Sequence, residues 1–493
     1  MPLRSADRTA TPASVGEGSR AYRVAVVGGG ITGLASAWYL ERQAASQGLS
    51  LRVTVLEAAG RWGGKISTER VDGFGASPFV VEAGPDSFLT QKPWALDLAH
   101  ELGLDERLLD TNDAQRRVFV VKKGRPVLLP DGVLLIIPTR FTPFITSPLI
   151  SWPGKLRMGL DLFIPPRADG QDETVADFVR RRLGAEAVDR LAEPLMSGIY
   201  NAEADRQSVL ATFPRFREIE ARHGSLIWGM LTARRARRQT PPSRRAMFVS
   251  LHAGTQELVD TLVEKLGADL RLNAPVTGLE CDTNGYNLTL AGGETVSADA
   301  VILTSPAYAA AGLLRGPAPE AARQLSAIRY VSTGTLSLAY RQDEIGHPLD
   351  GFGLVIPVSE GRRINAVTWT STKFSHRAPE GYALLRVFFG GSRRPEMMER
   401  PDEDVLRIAR EELASLMGVT AEPVFHRLAR WHEANPQYDV GHLSRVDAIE
   451  AALPPGLHVA GSAYRGIGIP DCVHQAQCVA AKVTSHMKEQ HST

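Results

Sequence analysis

Three glycines near the start of the chain have the spacing that binds a dinucleotide phosphate. Gly28, Gly30 and Gly33 form the pattern G-x-G-x-x-G. The apolar run at residues 24–27 predicts a buried parallel strand before them, and residues 34–43 have the apolar spacing of a helix. In that setting the glycines permit a tight turn, close approach of the backbone to a pyrophosphate, and packing of the helix on the strand. The helix N-terminus adds free N–H groups and partial positive charge for the anion.

A carboxylate and a second glycine-rich turn follow at the end of the next predicted strand. Glu57 closes the run LRVTVLE, 24 residues after Gly33, which is near the spacing of about 20 for a carboxylate that binds ribose hydroxyls. An acid there repels a 2′-phosphate, so NADP is disfavoured. The turn RWGG, which begins at Arg61, offers further backbone contacts to a longer dinucleotide and favours FAD over NAD. The Gly-Pro turn at residues 82–88, EAGPDSF, is expected to present amides to the same ligand.

The last segment of the chain repeats this order of strand, loop and helix. Residues 457–460 are predicted to form a buried strand, a glycine-rich loop follows, and a helix is predicted from about Pro470. We expect this unit to return to the N-terminal fold, so that the helix N-terminus meets a flavin ring and stabilises its reduced, anionic form. A glycine loop that binds no ligand is the alternative.

The composition is that of an ordinary globular protein with two or more packed units. The 493 residues are 43% hydrophobic and 23% charged, and the formal net charge is +1. This near-neutral charge produces no overall electrostatic field that would attract nucleic acid, so we expect no nucleic-acid partner. Three scattered cysteines predict neither a disulfide framework nor a zinc site and favour a reducing, cytoplasmic location. Residues 1–20 are polar and are predicted to be a tail rather than a secretion signal, with a transit peptide as the alternative.

No stretch of the sequence is predicted to span a membrane. The most apolar candidate, residues 134–152, contains three prolines and Arg140, which break a helix and are costly in lipid. This stretch is expected to form the apolar wall of a cavity or, alternatively, a patch for peripheral contact with a membrane surface.

Several motifs together resemble the oxygen-dependent porphyrinogen oxidases of haem biosynthesis, within the flavin amine oxidase superfamily. They are GGGITGLASAWYL, RWGGKIST, GPDSFLTQKP, EPLMSGIYNAEADRQSVLATFP, TWTSTKF, RWHEANPQYDVGH and GIGIPDC, and the likeness runs from about residue 22 to residue 485. The resemblance implies one non-covalent FAD and oxidation of coproporphyrinogen III to coproporphyrin III, with O2 as acceptor and H2O2 as product. Protoporphyrinogen IX as substrate is the alternative. A flavin amine oxidase-type oxidoreductase and a non-catalytic flavin-binding scaffold are the next alternatives.

The resemblance also implies a set of site residues. Those expected to contact FAD are Gly28, Gly30, Thr32, Gly33, Glu57, Ala58, Arg61, Gly64, Lys65, Gly84, Pro85, Asp86, Ser87, Val276, Trp431, Gly461, Gly468, Ile469 and Pro470. Those expected to line the substrate cavity are Asp86, Lys92 and Arg140. No catalytic acid or base and no metal are expected, because orientation of the substrate at flavin N5 supplies most of the catalysis.

The partners follow from the same resemblance. They are a porphyrinogen, molecular oxygen and a chelatase that receives the product. The basic run at residues 234–245 has two open interpretations, a solvated mobile segment or a surface that steers a carboxylated substrate.

The predicted fold class is α/β, with a discontinuous Rossmann-like FAD-binding domain, a mixed-sheet substrate domain and a helical domain. The FAD-binding domain is assigned to residues 20–90, 248–307 and 425–493, the helical domain to 91–210, and the substrate-binding domain to 211–247 and 308–424. The segments TGTLSLAYR, FGLVIP, NAVTWTST and ALLRVFFGG are expected to be strands of the substrate-binding domain.

Overall fold

A five-stranded parallel sheet joins the two ends of the chain. The computed structural model describes residues 21–134, 137–138, 140–167, 169–194, 202–237, 245–283 and 285–491. In spatial order the strands of this sheet are Asp269–Arg271, Leu51–Leu56, Tyr22–Val27, Ala300–Leu303 and Leu457–Val459. Each pair of neighbours is parallel. The C-terminal strand therefore lies in the same sheet as the N-terminal strand, as the repeated order of strand, loop and helix predicts.

Both faces of the parallel sheet are apolar, because the strands alternate between two cores. Val24 and Val26 belong to the first core, and Ala25 and Val27 belong to the second. The helices on the first core are Ile31–Gln47, Trp94–Glu101, Gln256–Lys265 and Ile469–His491. The helices on the second core are Ala307–Leu314, Pro319–Ser326 and His442–Ala451. The predicted α/β class is confirmed.

A seven-stranded mixed sheet forms the other large layer. Its strands, in spatial order, are Phe425–Pro436, Tyr330–Arg341, Tyr382–Gly390, Ala366–Trp369, Gly353–Val355, Val118–Lys122 and Arg125–Leu128. One face packs on the helix Asp402–Met417 through residues such as Leu336 and Leu385. The other face carries the polar side chains of Thr335 and Arg386. The four strands predicted within residues 333–391 are confirmed, except that NAVTWTST ends in the helical turn Thr370–Lys373.

Three strands lie outside the segments that the sequence assigns to this sheet, and one of them is Arg125–Leu128, the antiparallel partner of Val118–Lys122. Phe425–Pro436 pairs along its length with Tyr330–Arg341, although the sequence assigns residues 425–493 to the FAD-binding domain. Val118–Lys122 pairs in parallel with Gly353–Val355, although it lies in a segment predicted to be helical. Both pairings join residues that are distant in sequence, and local patterns do not report such contacts.

The segment 211–247 is predicted to belong to the mixed sheet, but its described residues, 211–237 and 245–247, are largely helical. Its helices are Pro214–His223 and Leu226–Arg237. A buried ion pair and its neighbouring hydrogen bond explain why this segment packs on the helical region. Arg182 Nε donates to Asp161 Oδ1 at 2.6 Å, both side chains are fully buried, and Arg182 Nη2 also donates to Gly224 O at 2.7 Å. Because Arg182 lies on the helix Val175–Leu183, these bonds fasten the segment to the helical region.

The remaining elements are short. The strands are Thr68–Val71, Phe79–Glu82, Phe88–Leu89, Leu108–Asp110, Val133–Leu134, Ile137–Pro138, Phe248–Leu251, Val276–Asp282, Gly285–Leu290 and Thr295–Ala298. The helices are Phe141–Thr146, Trp152–Gly159, Ala185–Ala187, Val209–Thr212 and the π-helix Val188–Ala192. The 3-10 helices are Asp105–Arg107, Asp113–Gln115, Leu160–Leu162, Gln342–Glu344, Val358–Glu360 and Pro395–Met398.

Two sequence-based expectations concern parts of the chain that the structure does not describe. The predicted tail, residues 1–20, and the side chains of residues 234–244 in the basic run lie outside the described residues. Within the described ranges, none of the helices combines the length and the apolar character needed to cross a bilayer.

Candidate active site

The glycine loop after Tyr22–Val27 serves both packing and ligand binding. Gly28 has a φ of +117°, which favours glycine. A Cβ at position 33 would overlap the carbonyl oxygen of Gly28, so only glycine lets the helix approach the strand. At Gly30 φ is −74°, and the atom nearest to a Cβ would be Gly64 Cα at 3.9 Å. The fold itself does not require glycine at position 30, and open space lies beside it.

The helix Ile31–Gln47 presents an uncapped N-terminus next to this space. Among the described residues no side chain caps its first turn, and that turn contains no acid. Nearby, the backbone N of Ser305 would lie 3.1 Å from a Cβ at position 28, and the buried Ser305 Oγ has no hydrogen-bond partner among the described residues. Free amides at a helix N-terminus and an unpaired buried hydroxyl fit the pyrophosphate of a dinucleotide.

Glu57 has a fixed orientation at the end of Leu51–Leu56. Its Oε2 accepts the N–H of Gly29 at 2.6 Å, and its Oε1 accepts the N–H of Ala59 at 2.8 Å. The side chain is only partly buried, so its remaining lone pairs are open to hydroxyl donors. This arrangement supports the predicted role of Glu57 toward a ribose.

The RWGG turn packs directly on the first glycine loop. Gly63 N–H donates to Gly29 O at 2.8 Å, and a β-bridge joins Gly63 to Gly30. Arg61 donates to Ile66 O at 2.9 Å and also to the carbonyl of Gly64. Arg61 thus holds the turn in shape, and its predicted contact with FAD stays a prediction.

Lys65 joins three segments of the site. Its Nζ donates to Ala434 O at 2.6 Å and to Ser462 Oγ at 3.1 Å. Ala434 belongs to the seven-stranded sheet, and Ser462 belongs to the C-terminal loop. Burial lowers the pKa of Lys65. The ammonium group therefore joins the RWGG turn, which Lys65 follows directly, to the seven-stranded sheet and to the C-terminal glycine loop.

The C-terminal glycine loop makes room for a carboxylate. Gly466 has a φ of +124°, and a Cβ there would overlap the side chain of Asp471. A Cβ at Gly468 would lie 3.1 Å from Asp471 Oδ2. Asp471, in the first turn of Ile469–His491, accepts from Lys92 Nζ at 2.6 and 2.8 Å. The side chain of Asp471 therefore explains why glycine stands at these two positions, and the sequence alone did not reveal this explanation.

The Gly-Pro turn is held by donors from the seven-stranded sheet. Ala83 O accepts from Arg386 Nη2 and from Trp431 Nε1, each at 2.9 Å. A third donor to the same oxygen is Thr335 Oγ1 at 3.2 Å. Arg386 Nη2 also donates to Gly84 O at 2.7 Å. Two successive carbonyls of the turn are thus fixed from one side.

Asp86 is the buried anion of this turn. Lys373 Nζ lies 3.0 Å from each of its carboxylate oxygens, and Ser87 Oγ donates to it at 2.6 Å. Burial by itself would raise the pKa of Asp86, but Lys373, Arg386 and Ser87 together hold that pKa well below its usual range. Asp86 is therefore ionised at neutral pH, and its charge is balanced by cations of the fold.

The substrate-lining predictions fall in different places. Lys92 lies beside the C-terminal loop and is paired with Asp471. Arg140 is exposed and precedes the helix Phe141–Thr146. Val276 begins its strand two residues after Ala274, whose N–H donates to Glu57 O at 2.9 Å. The other predicted residues lie on or directly beside the loops above, namely Thr32, Ala58, Pro85, Gly461, Ile469 and Pro470.

Neither a metal centre nor a reactive thiol is indicated near these loops. Within the described residues, no group of three or more His, Cys, Asp or Glu side chains is arranged to hold a metal ion. His442 is buried, stacks on Tyr438 at 4.0 Å between ring centroids, and has its pKa lowered to about 4 by burial, so it is neutral at pH 7. Burial also raises the pKa of the Cys472 thiol, which makes it a poor nucleophile.

Two basic residues of the site were missed in the sequence. Arg386 and Lys373 each stand alone among apolar and small residues, in ALLRVFFGG and TWTSTKF. A charged side chain is seldom fully buried unless it is paired. A lone charge at an inward position of a predicted strand was the signal that could have identified Arg386.

Comparisons with known proteins agree with this geometry. The family profile described as flavin containing amine oxidoreductase matches residues 31–484. The coproporphyrinogen III oxidase of Bacillus subtilis is 36% identical, over 94% of this chain and 98% of that protein. The chloroplastic protoporphyrinogen oxidase of Nicotiana tabacum is 30% identical, over 97% of this chain and 88% of that protein. A crystal structure from Exiguobacterium, described as a protoporphyrinogen oxidase, has a TM-score of 0.84 at 32% identity, over 95% of this chain and 100% of that chain.

Proposed function

This chain belongs to the family of flavin-containing amine oxidoreductases, and we propose that it oxidises coproporphyrinogen III to coproporphyrin III in haem biosynthesis. FAD is the cofactor, with O2 proposed as the acceptor and H2O2 as the product. One observation carries the choice of substrate. The chain matches proteins named coproporphyrinogen III oxidase over nearly its whole length, at identities of 32–36%, against 30–32% for the chloroplastic protoporphyrinogen oxidases.

When bound, FAD supplies the hydride acceptor for a methylene bridge that two pyrroles activate. The residues of the chain supply binding and orientation. The first-turn amides of Ile31–Gln47 would hold the pyrophosphate, and Glu57 would accept the ribose hydroxyls. Arg386 and Trp431 hold the Gly-Pro turn rigid. Positioning of the reacting groups contributes up to about 7–11 kcal/mol in well-aligned reactions.

The four carboxylates of coproporphyrinogen III require cations near the cavity. Lys92 and Arg140 are the proposed partners, and Asp86 is the third proposed lining residue. The Lys92 side chain is 44% exposed although it is paired with Asp471, so a substrate carboxylate has access to the ammonium group. Arg140 is exposed as well.

The proposed reaction is tested by giving the purified holoprotein each porphyrinogen in air. We expect coproporphyrin fluorescence to appear fastest, with three H2O2 formed per porphyrin because six electrons leave in three steps. Anaerobic mixtures test whether O2 is the acceptor. A clear preference for protoporphyrinogen IX would replace the first proposal with the second candidate, which the 30–32% identical protoporphyrinogen oxidases favour. Turnover of amines alone, or bound flavin with no turnover at all, would contradict both.

We also propose a peripheral membrane contact, at a stretch that differs from the one the sequence suggests. Within residues 134–152, Phe144, Leu149 and Ile150 are buried. The exposed apolar stripe instead lies at residues 152–163. Its members, spaced as on one helix face, are Trp152 at 63% exposure, Leu156 at 72%, Leu160 at 51% and Phe163 at 80%. Lys155 Nζ lies 4.7 Å from the Trp152 ring and adds a positive charge that suits anionic lipid headgroups.

The double substitution Leu156→Ser and Phe163→Ser is expected to lower the fraction of protein bound to vesicles more than tenfold. Each apolar side chain of this size contributes about 1.5–3 kcal/mol to binding when it moves from water into the lipid. Co-sedimentation with vesicles of phosphatidylcholine and phosphatidylglycerol measures it. The control Val440→Ser changes an exposed apolar residue outside the stripe. Equal vesicle binding by the unchanged protein, the double variant and the control would refute the contact. Light scattering that shows self-association through the stripe would refute it as well.

The cytoplasm is the proposed compartment. Cys281, Cys472 and Cys478 are all free thiols, which suits a reducing environment. Transfer of the porphyrin to a chelatase is proposed as the next step and is tested by adding a chelatase to the oxidation assay.

A further inference from the structure

A surface groove lies beside the edge of the five-stranded sheet, away from the glycine loops. It runs between the strand Leu457–Val459, which is the last strand of that sheet, and the later turns of the helix Ile469–His491. Its volume is about 580 Å³. His486, which lines the groove, follows Asp471 by 15 residues on the same helix, a distance of about 22 Å along the helix axis. The groove is therefore separate from the candidate active site.

Hydrogen-bond donors line this groove from two sides. His458 belongs to the strand, whereas Lys482, Ser485 and His486 belong to the helix. Lys482 and Ser485 are exposed, and the two histidines are only partly buried, so a dissolved ligand has access to the groove. Among the described lining residues the one acid is Glu489, whose side chain is 79% exposed and lies 4.0 Å from His486.

Two of the donors have no protein partner. Neither the ammonium group of Lys482 nor the imidazole of His458 forms a hydrogen bond or an ion pair with the residues that the structure describes. The pKa of His458 is lowered to about 4, by burial first and then by Lys482 and His486, so this ring is neutral at pH 7. A ligand between these groups must accept hydrogen bonds and offset the positive charge, and an anion does both.

We propose that this groove binds a phosphate group, either as the free anion or as a phosphate monoester. The ammonium, the hydroxyl and the two imidazoles approach from different directions, and the oxygens of phosphate are arranged as a tetrahedron, whereas those of a carboxylate lie in one plane. Hydrogen bonds between charged partners are also about twice as strong as those between neutral ones. The volume of the groove leaves space for the organic part of an ester beside the phosphate.

Binding at this place is coupled to protonation of His458. An anion beside the ring favours the charged imidazole, so the pKa of His458 is higher in the complex than its value of about 4 in the free protein. The complex then takes up a proton that the free protein lacks, and the affinity increases as the pH falls. Lys482 and His486 are the other cationic side chains of the groove, and Glu489 opposes the anion.

Isothermal titration calorimetry of the FAD-loaded protein with inorganic phosphate, at constant ionic strength, tests the site. We expect one phosphate per chain and a Kd below about 1 mM. Lys482→Met is expected to weaken binding at least about tenfold, because a charge-assisted hydrogen bond is lost. The control Lys265→Met removes the same charge from an exposed helix end outside the groove, and its Kd should change by less than about twofold. A parallel titration with glycerol 3-phosphate distinguishes the free anion from an ester.

A second titration, with sulfate between pH 5 and pH 8, tests the coupling to His458, because the charge of sulfate is constant over that range. We expect the affinity to rise at least about fivefold as the pH falls, and His458→Gln, with its fold checked by circular dichroism, to reduce this dependence. An equal pH dependence in His458→Gln would exclude the coupling. The absence of saturable phosphate binding, or equal binding by the unchanged protein and Lys482→Met, would overturn the proposal. None of these measurements requires turnover, so their outcome is independent of the porphyrinogen assay.

Discussion

A Gly30→Ala variant is expected to fold as the unchanged protein does and to bind FAD at least about a hundredfold more weakly, a loss of about 2.7 kcal/mol. The new methyl group would meet no protein atom closer than Gly64 Cα at 3.9 Å, and φ at this position is −74°, which alanine adopts freely. The stability of the apoprotein should therefore change by less than about 1 kcal/mol. The methyl group would instead occupy the open space beside the uncapped helix N-terminus. Urea unfolding of the apoprotein and fluorescence titration with FAD measure the two effects separately.

Gly33→Ala is the matched comparison, because the same change is made three residues later. A Cβ there would overlap Gly28 O, so the helix must shift from the strand, at a cost of about 3 kcal/mol in the free energy of unfolding. We expect Gly33→Ala to lose stability with or without FAD. If Gly30→Ala retained full affinity for FAD, the assignment of the pyrophosphate to this loop would be wrong.

Lys373→Met is expected to lower the free energy of unfolding by about 3–5 kcal/mol, because it leaves the carboxylate of Asp86 buried without its closest cation. The Lys373 ammonium lies 3.0 Å from both oxygens of Asp86, and the two side chains are 15% and 14% exposed. The double variant Asp86→Asn and Lys373→Met should lose less than the sum of the single losses, since the charges are removed together. Urea unfolding of the unchanged protein, the two single variants and the double variant gives the coupling free energy between the two side chains. A coupling of zero would show that the pair does not act as a unit.

The same pair predicts how stability depends on pH. The folded-state pKa of Asp86 is lower than its unfolded value of about 4, so its stabilisation is present above pH 4 and is lost as the pH falls toward the folded pKa. The difference in stability between the unchanged protein and Asp86→Asn should therefore shrink between pH 7 and pH 3. Glu411→Gln, which alters an exposed carboxylate paired with Arg363, should show little effect at any pH.

Local patterns were sufficient for the parts of the site that are built from consecutive residues. The loop at Gly28, the carboxylate of Glu57 and the strand before Gly461 each depend on a strand, a turn and a helix start that lie within a short window. The strands near residues 333–391 were also found in this way. The orientation of each backbone group within such a unit follows from residues a few positions away, so spacing alone indicates it.

Those local patterns did not predict which side chains contact each other in the fold. Lys92 appears in the sequence as a cation for substrate carboxylates, which stays a prediction, and the structure adds its pairing with Asp471, 379 residues later. Gly466 and Gly468 appear in the sequence as ligand-binding glycines, which stays a prediction, and the structure adds that a Cβ at either position would crowd the side chain of Asp471. Residues 211–247 appear as part of a sheet, yet their turn is bound by the buried Arg182.

The sequence by itself determined the unit of strand, glycine loop and helix at Gly28, the carboxylate of Glu57 at the end of a strand and a second glycine loop near the C-terminus, and it indicated that the two ends share one α/β fold. Only the tertiary structure decided which buried charges meet, including Asp86 with Lys373 and Arg386 with the carbonyl of Ala83. The physical reason is the range of the interactions. Glycine spacing and strand alternation act between neighbours along the chain, whereas an ion pair depends on the distance between groups that folding alone brings together across hundreds of residues.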